Sequence, residues 1–302
     1  MSFSRIFILG AGAIGSIYGA LLSEKADVLL VGNKAHVNAI NTEGLTIVGD
    51  VRKTIFPKAA TEIKEIPEKA LILLTTKAYD SAEAIKRTKK LLKKDTVILV
   101  LQNGIGNEEI VRNLVTWKDN VLRGLTTIGA EFQKPGTVKF WRGETIVESH
   151  SCSRKIARIL NECGLKSRVS RDIKTELWNK LVVNCVVNPL TGLFRVRNCE
   201  ILSEPLRNVR HGIVQECVGV AEGEGIILPQ NLTSKIDKQI AHYTNFSSMY
   251  QDLARGKQTE IDFLNAKIVE LGKNHNVQTP INEVLVSFIK FLEAKNGFRR
   301  EN

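Results

Sequence analysis

Six residues near the start of the chain restrict its fold more than anything that follows. Arg5 to Leu9 is a short apolar strand, and Gly10-Ala11-Gly12-Ala13-Ile14-Gly15 follows it at once. An amphipathic stretch continues through Leu22, and a second apolar strand comes at Val28 to Val31. Strand, G-x-G-x-x-G, helix, strand is the order of a dinucleotide-binding βαβ unit. Gly10 permits the tight turn, Gly12 lets the backbone approach a pyrophosphate, and Gly15 lets helix and strand pack closely. The positive end of the helix then faces the phosphates.

The end of the second strand bears on the choice of cofactor. A site for NAD usually carries Asp or Glu there, to hold the adenosine ribose. Here V-L-L-V-G-N-K-A-H has no carboxylate, and Asn33, Lys34 and His36 are placed to receive a 2′-phosphate. That favours NADPH. No arginine is present to grip the phosphate with two bonds, so NADH stays open as the alternative.

Two later strands end in polar residues. L-I-L-L-T delivers Thr76-Lys77, and V-I-L-V-L delivers Gln102-Asn103-Gly104. Ligands of an open parallel sheet bind beyond the carboxyl ends of its strands, so Lys77 and Asn103 are expected to face the crevice of the glycine loop. A strand over Val121 to Glu131, a turn at Lys134-Pro135-Gly136 and a returning strand over Val138 to Trp141 form a hairpin. A helix from Ser153 to Glu162 and a strand from Lys166 to Ser170 close a Rossmann-type α/β domain spanning residues 1–170.

From Asp172, a candidate N-cap, strand patterns vanish. Residues 171–302 read as an all-α domain, with helices after the first at roughly 205–226, 232–243, 246–272 and 281–296. The first of its helices holds L-W-N-K-L-V-V-N-C-V-V-N-P-L-T-G, from Leu177 to Gly192. A helical step of four residues turns about 400°, so Lys180, Asn184 and Asn188 drift only about 40° per step and share a face. The other directions are apolar, as in a buried helix. Pro189 should kink or end it.

A nicotinamide can give up a hydride, and reducing a ketone with it builds negative charge on the carbonyl oxygen. A proton donor is then required. None of the five histidines lies in a motif suited to the task, whereas Lys180, facing a cleft between the domains, is. Asn184 and Asn188 can orient it or bind a polar substrate. Ser248 and Glu260, in S-S-M-Y-Q-D-L-A-R-G-K-Q-T-E-I-D, read by pattern alone as one side of a charged helix.

Composition excludes several other classes. The 302 residues are 43% hydrophobic and 25% charged, as expected of a globular protein with room for two cores. No apolar run approaches the roughly 20 residues that span a bilayer. The apolar N-terminal stretch leads straight into the glycine pattern and reads as mature protein, not as a signal peptide. Five cysteines without metal spacing suggest reduced thiols in a cytoplasmic protein and no metal site. The net charge of +11 is spread along the chain. Its densest run, Lys86 to Lys94, lacks interleaved aromatics, so it reads as a solvated helix face and not as a nucleic-acid platform. A basic surface would draw anionic small molecules.

The motifs together resemble the ketopantoate reductase family over nearly the whole chain. They are G-A-G-A-I-G, T-T-K at 75–77, Q-N-G-I-G at 102–106, L-W-N-K-L-V-V-N-C-V-V-N-P-L-T at 177–191 and S-S-M-Y-Q-D…T-E-I-D at 247–262. The resemblance implies NADPH-dependent reduction of 2-dehydropantoate to (R)-pantoate, on the route to pantothenate and coenzyme A. It makes Lys180 the general acid, Glu260 the second catalytic residue, and Asn184 and Asn188 substrate ligands. Ser248 and Glu260 would bind the substrate carboxylate and hydroxyl with Asn245 nearby, and Lys77 and Asn103 would line the nicotinamide and substrate end, Asn103 binding both cofactor and substrate. Many relatives carry an arginine where this chain has Gly32-Asn33-Lys34. The expected partner is the small-molecule substrate, with room for a homodimer.

Two other readings compete. A reductase of another 2-oxo acid, or a 3-hydroxyacid dehydrogenase, would share the scaffold and the lysine–asparagine spacing, but not both the S-S-M and T-E-I-D blocks. An NADPH-sensing regulator would need no proton donor.

Overall fold

Ile6–Leu9 forms β1, and all four of its residues are buried. The computed structural model describes residues 3–295. The chain divides into two units. One runs to Gln102 and again from Gly106 to Ile173, while the other holds Asn103–Ile105 and the chain from Lys174 onward.

In the first unit β1 is followed by α1 (Ala13–Ser23), β2 (Val28–Val31), α2 (Lys34–Glu43), β3 (Leu45–Gly49), β4 (Lys53–Ile55) and β5 (Lys58–Ala60). Then come β6 (Leu71–Leu74), α3 (Ser81–Thr88), β7 (Val97–Val100), α4 (Asn107–Arg112), β8 (Val121–Thr126), β9 (Gly129–Lys134), β10 (Thr137–Trp141), β11 (Thr145–Glu148), α5 (Ser153–Glu162) and β12 (Ser167–Ser170). Eight strands form one sheet in the order β12-β11-β8-β7-β6-β1-β2-β5. It is parallel from β5 to β8, and β11 pairs antiparallel with β8. Alternate residues enter two cores. Ile6, Ile8, Leu71 and Leu73 pack on one face, and Phe7, Leu9, Ile72 and Leu74 on the other. A sheet buried on both faces needs unbroken apolar strands, and I-F-I-L and L-I-L-L supply them. The unit is a Rossmann-type α/β fold.

A second sheet, β4-β3-β10-β9, departs from the sequence expectation. The strand expected over Val121 to Glu131 is two strands in two sheets. Thr126 Oγ1 accepts the N–H of Ile128 at 3.1 Å, a hydroxyl-closed turn that bends the chain between them. The expected hairpin is β9–β10, with Gly136 at φ +76° in its turn.

The second unit is helical: α6 (Ile173–Phe194), α7 (Arg207–Gly223), α8 (Leu232–Ile240), α9 (Ser248–Ala254), α10 (Asn265–His275) and α11 (Pro280–Lys295). Trp178, Leu181, Val182, Cys185 and Val186 of α6 lie in its core. The helix expected over 281–296 is α11, position 296 lying outside the described residues. Among the described residues no helix is long and apolar enough to cross a membrane.

One helical expectation is narrowed and another corrected. Pro189, expected to kink or end α6, does not end it, and the helix continues to Phe194. A proline cannot donate to the carbonyl four residues back, here that of Cys185. The buried side chain of Asn265 donates to that carbonyl instead, at 3.0 Å. The helix expected over 246–272 is broken in the middle. Gly256 takes φ +64° after α9, and Lys257 to Glu260 leave the helix before a short 3-10 turn at Ile261–Phe263.

Candidate active site

The glycine loop divides into glycines the protein needs for itself and one it does not. Gly10 has φ +110°, and a Cβ there would lie 2.3 Å from the backbone N of Thr76. A Cβ on Gly15 would lie 2.2 Å from the carbonyl oxygen of Gly10. On Gly12, which is exposed, it would meet nothing within 4 Å. That open position is where a pyrophosphate would approach the backbone. The amides of Gly10 and Ala11 donate to Val31, and that of Gly12 to Gly10. The groups left to face phosphates are those of Ala13, Ile14 and Gly15, in the first turn of α1. This turn has no capping side chain and no acidic residue, so its positive end suits an anion. These residues fit a dinucleotide.

At the end of β2 the side chain of Asn33 caps α2 by accepting the N–H of His36 at 2.9 Å. Lys34 is the first residue of α2 and is exposed. His36 is not available to a phosphate, contrary to the sequence expectation. It is fully buried, with Nε2 2.8 Å from Ser16 Oγ and Nδ1 accepting the N–H of Gly136 at 3.0 Å. Burial lowers its pKa to about 4, so it is neutral at pH 7.

Lys77 stands at the position just before a short 3-10 turn, Ala78–Asp80, and is half-buried. The buried Gln102 ties down this stretch, donating to Thr76 Oγ1 at 2.9 Å and to Ser81 Oγ at 2.6 Å. Its own carbonyl accepts from the buried guanidinium of Arg123 at 2.7 Å. Sequence reasoning passed over Arg123, although a charge inside V-L-R-G-L-T is an available signal. Lys77 and Asn103, both expected to face the crevice of the glycine loop, fall in different units.

In the helical unit three of the expected residues meet through hydrogen bonds. The Lys180 ammonium donates to Asn103 Oδ1 at 2.8 Å, and Asn103 Nδ2 donates to Glu260 Oε2 at 3.2 Å. The chemistry fixes the orientation of the amide, because an ammonium can only donate and a carboxylate can only accept. Gly104 lets the loop lie this close. A Cβ there would come within 2.3 Å of the Phe263 carbonyl oxygen, and its φ is +82°.

The remaining candidates belong to the same unit. Asn184 is half-buried and Asn188 buried, one and two turns beyond Lys180 on α6. Asn245 is half-buried and donates to the carbonyl of Phe246 at 3.2 Å. The two serines of S-S-M differ. Ser247 is the N-cap of α9, accepting from Tyr250 N and, at 2.6 Å, from Thr191 Oγ1. Ser248 is the first helical residue and stays half-buried.

Residues 6–150 match the family model described as Ketopantoate reductase PanE/ApbA, and residues 172–293 match that of its C-terminal part. A 2-dehydropantoate 2-reductase from Pyrococcus abyssi (strain GE5 / Orsay) is 37% identical over 304 residues, covering 97% of this chain and 99% of that protein. Among solved structures, a PanE/ApbA family ketopantoate reductase from Ralstonia eutropha JMP134 superposes with a TM-score of 0.90 at 30% identity, covering 97% of this chain and 99% of the other. D-mandelate dehydrogenase, solved with NADH and anilino(oxo)acetate, also reaches 0.90, at 29% identity and the same coverage.

Proposed function

The chain belongs to the ketopantoate reductase family, and on that premise we propose that Lys180 is the proton donor in the reduction of 2-dehydropantoate to (R)-pantoate, with NADPH as the preferred hydride source. When bound, the dihydronicotinamide supplies a hydride to the 2-oxo carbon. The oxo oxygen gains negative charge as its double bond opens, and Lys180 delivers a proton to it. The observation that carries this reading is the bridge from Lys180 through Asn103 to Glu260.

A direct lysine–glutamate pair would satisfy both charges and withdraw them from substrate. The Asn103 amide serves both at once, accepting from the lysine and donating to the carboxylate, and so links their positions. Glu260 then accepts a hydrogen bond from the substrate hydroxyl. Asn184, Asn188, Asn245 and Ser248 offer neutral polar groups to the hydroxyl and carboxylate. The glycine loop from Gly10 to Gly15 holds the pyrophosphate, with Lys77 and Asn103 toward the nicotinamide. At the other end of the cofactor the absence of a carboxylate after β2, the start of α2 and the exposed Lys34 favour a 2′-phosphate.

Steady-state turnover of 2-dehydropantoate with NADPH and with NADH tests both parts. A larger kcat/KM is expected with NADPH, and Lys34→Ala should narrow the difference by raising the KM for NADPH. An equal or larger value with NADH overturns the cofactor assignment. Turnover of phenylglyoxylate but not of 2-dehydropantoate would favour the chemistry of the mandelate dehydrogenase neighbour.

A further inference from the structure

Glu293 is a carboxylate where a core residue would be expected. It lies on α11 and is only 5% exposed. Burying a carboxylate is unfavourable unless hydrogen bonds and opposite charge compensate it, and an apolar residue of similar volume would often serve stability as well or better. Its compensation is specific. One oxygen, Oε1, accepts both from the backbone N–H of Thr259 at 2.8 Å and from Thr259 Oγ1 at 2.7 Å. The other, Oε2, lies 3.4 Å from the ammonium of Lys290, one turn back on the same helix. Lys290 also pairs with Asp262 at 2.5 Å. The Thr259 hydroxyl in turn accepts the N–H of Ile261 at 3.2 Å.

Two side chains on one face of α11 therefore grip the T-E-I-D segment on both sides of Glu260. Glu260 is itself buried and turned toward Asn103. We propose that Glu293 is a positioning residue for Glu260: by fixing Thr259 it sets where the Glu260 carboxylate meets the substrate hydroxyl. The proposal rests on the reading of Glu260 as a substrate ligand. Charge-assisted bonds from a buried carboxylate to both donors of one residue leave that residue little freedom. Binding geometry is sensitive to displacements of about 1 Å.

The test compares Glu260→Ala, Glu293→Ala, Glu293→Gln and the double alanine variant. Each is checked for cooperative unfolding, and each is assayed with 2-dehydropantoate and NADPH. Glu293→Ala should lower kcat/KM for 2-dehydropantoate by about 10-fold, mainly through KM, and leave the KM for NADPH unchanged. Glu293→Gln keeps an oxygen for Thr259 and should stay within about 3-fold of the unmodified protein. The double variant should fall no lower than Glu260→Ala alone. Wild-type kinetics in Glu293→Ala beside an impaired Glu260→Ala would overturn the proposal, as would losses that multiply in the double variant. If Glu260→Ala is itself unimpaired, the reading of Glu260 fails and the proposal falls with it. Should Glu293→Ala not fold, Thr259→Val, which removes one of the two donors, carries the same test. A raised KM for 2-dehydropantoate supports positioning and an unchanged one overturns it.

Discussion

Lys180 donates to Asn103 at 2.8 Å across 77 positions of sequence. Removing either partner should therefore damage the same step. Lys180→Ala is expected to lower kcat by about 10² or more, the usual worth of a general acid. Asn103→Ala should cost about 10-fold in kcat/KM. Asn103→Asp should be worse than Asn103→Ala, because it sets a second carboxylate against Glu260. Steady-state kinetics decide the matter, and an unchanged kcat in Lys180→Ala would remove that residue from the mechanism.

The glycine loop allows folding and binding to be separated. Gly12→Ala meets no atom within 4 Å and keeps an ordinary φ of −82°, so its thermal midpoint should be unchanged. Its Kd for the cofactor should rise by roughly tenfold, equivalent to about 1.4 kcal/mol. Gly10→Ala, at φ +110° and 2.3 Å from Thr76 N, should instead destabilise the fold by about 2 kcal/mol or more. Calorimetry paired with cofactor titration separates the two outcomes. Unaltered cofactor affinity in Gly12→Ala would count against the loop as the phosphate site.

What could be read from the sequence was what local pattern encodes. β1, β6 and β7 are unbroken apolar runs, and α6 has one polar line on an apolar cylinder. The strands β4 and β5 escaped notice because they have three residues each and are interleaved with exposed polar or charged side chains, Thr54 and Lys58 among them, and β3 because it follows α2 after a single glycine. Contacts between distant positions were not legible. His36 looked like a phosphate ligand because it follows β2, yet a turn 100 residues away closes over it. The residue types of the candidate site stood out, but the amide bridge between Lys180 and Glu260 did not. Nor did the grip of Glu293 on Thr259, 34 positions apart.

His36 makes stability depend on pH. Its imidazole titrates near 6.5 in the unfolded chain and at about 4 in the folded one. Between those values the unfolded chain binds more protons, so stability is full above pH 6.5 and declines as pH falls toward 4. The loss from this group is at most about 3 kcal/mol. Urea denaturation at pH 7 and pH 4.5 should show a smaller difference for His36→Gln than for the unmodified protein. Equal differences would exclude His36 as the source.

Asn265 is expected to matter because of Pro189. Asn265→Ala leaves the buried Cys185 carbonyl without its side-chain donor and should destabilise by about 1–3 kcal/mol. Pro189→Ala provides a backbone N–H for the same carbonyl, so part of that loss should disappear in the double variant. A thermodynamic cycle by urea denaturation measures the coupling. Strict additivity would mean that the two residues do not serve the same carbonyl.

Asn103 to Ile105 belong to the helical unit although the chain on either side belongs to the sheet. For anyone recombining such enzymes, an exchange at the join before Lys174 would not move the whole constellation. A helical half grafted from a relative would bring its own lysine and glutamate but inherit the bridging amide from the recipient. In this fold the Lys180–Asn103–Glu260 constellation is not carried by one continuous stretch of chain, so exchanging either half alone would split it.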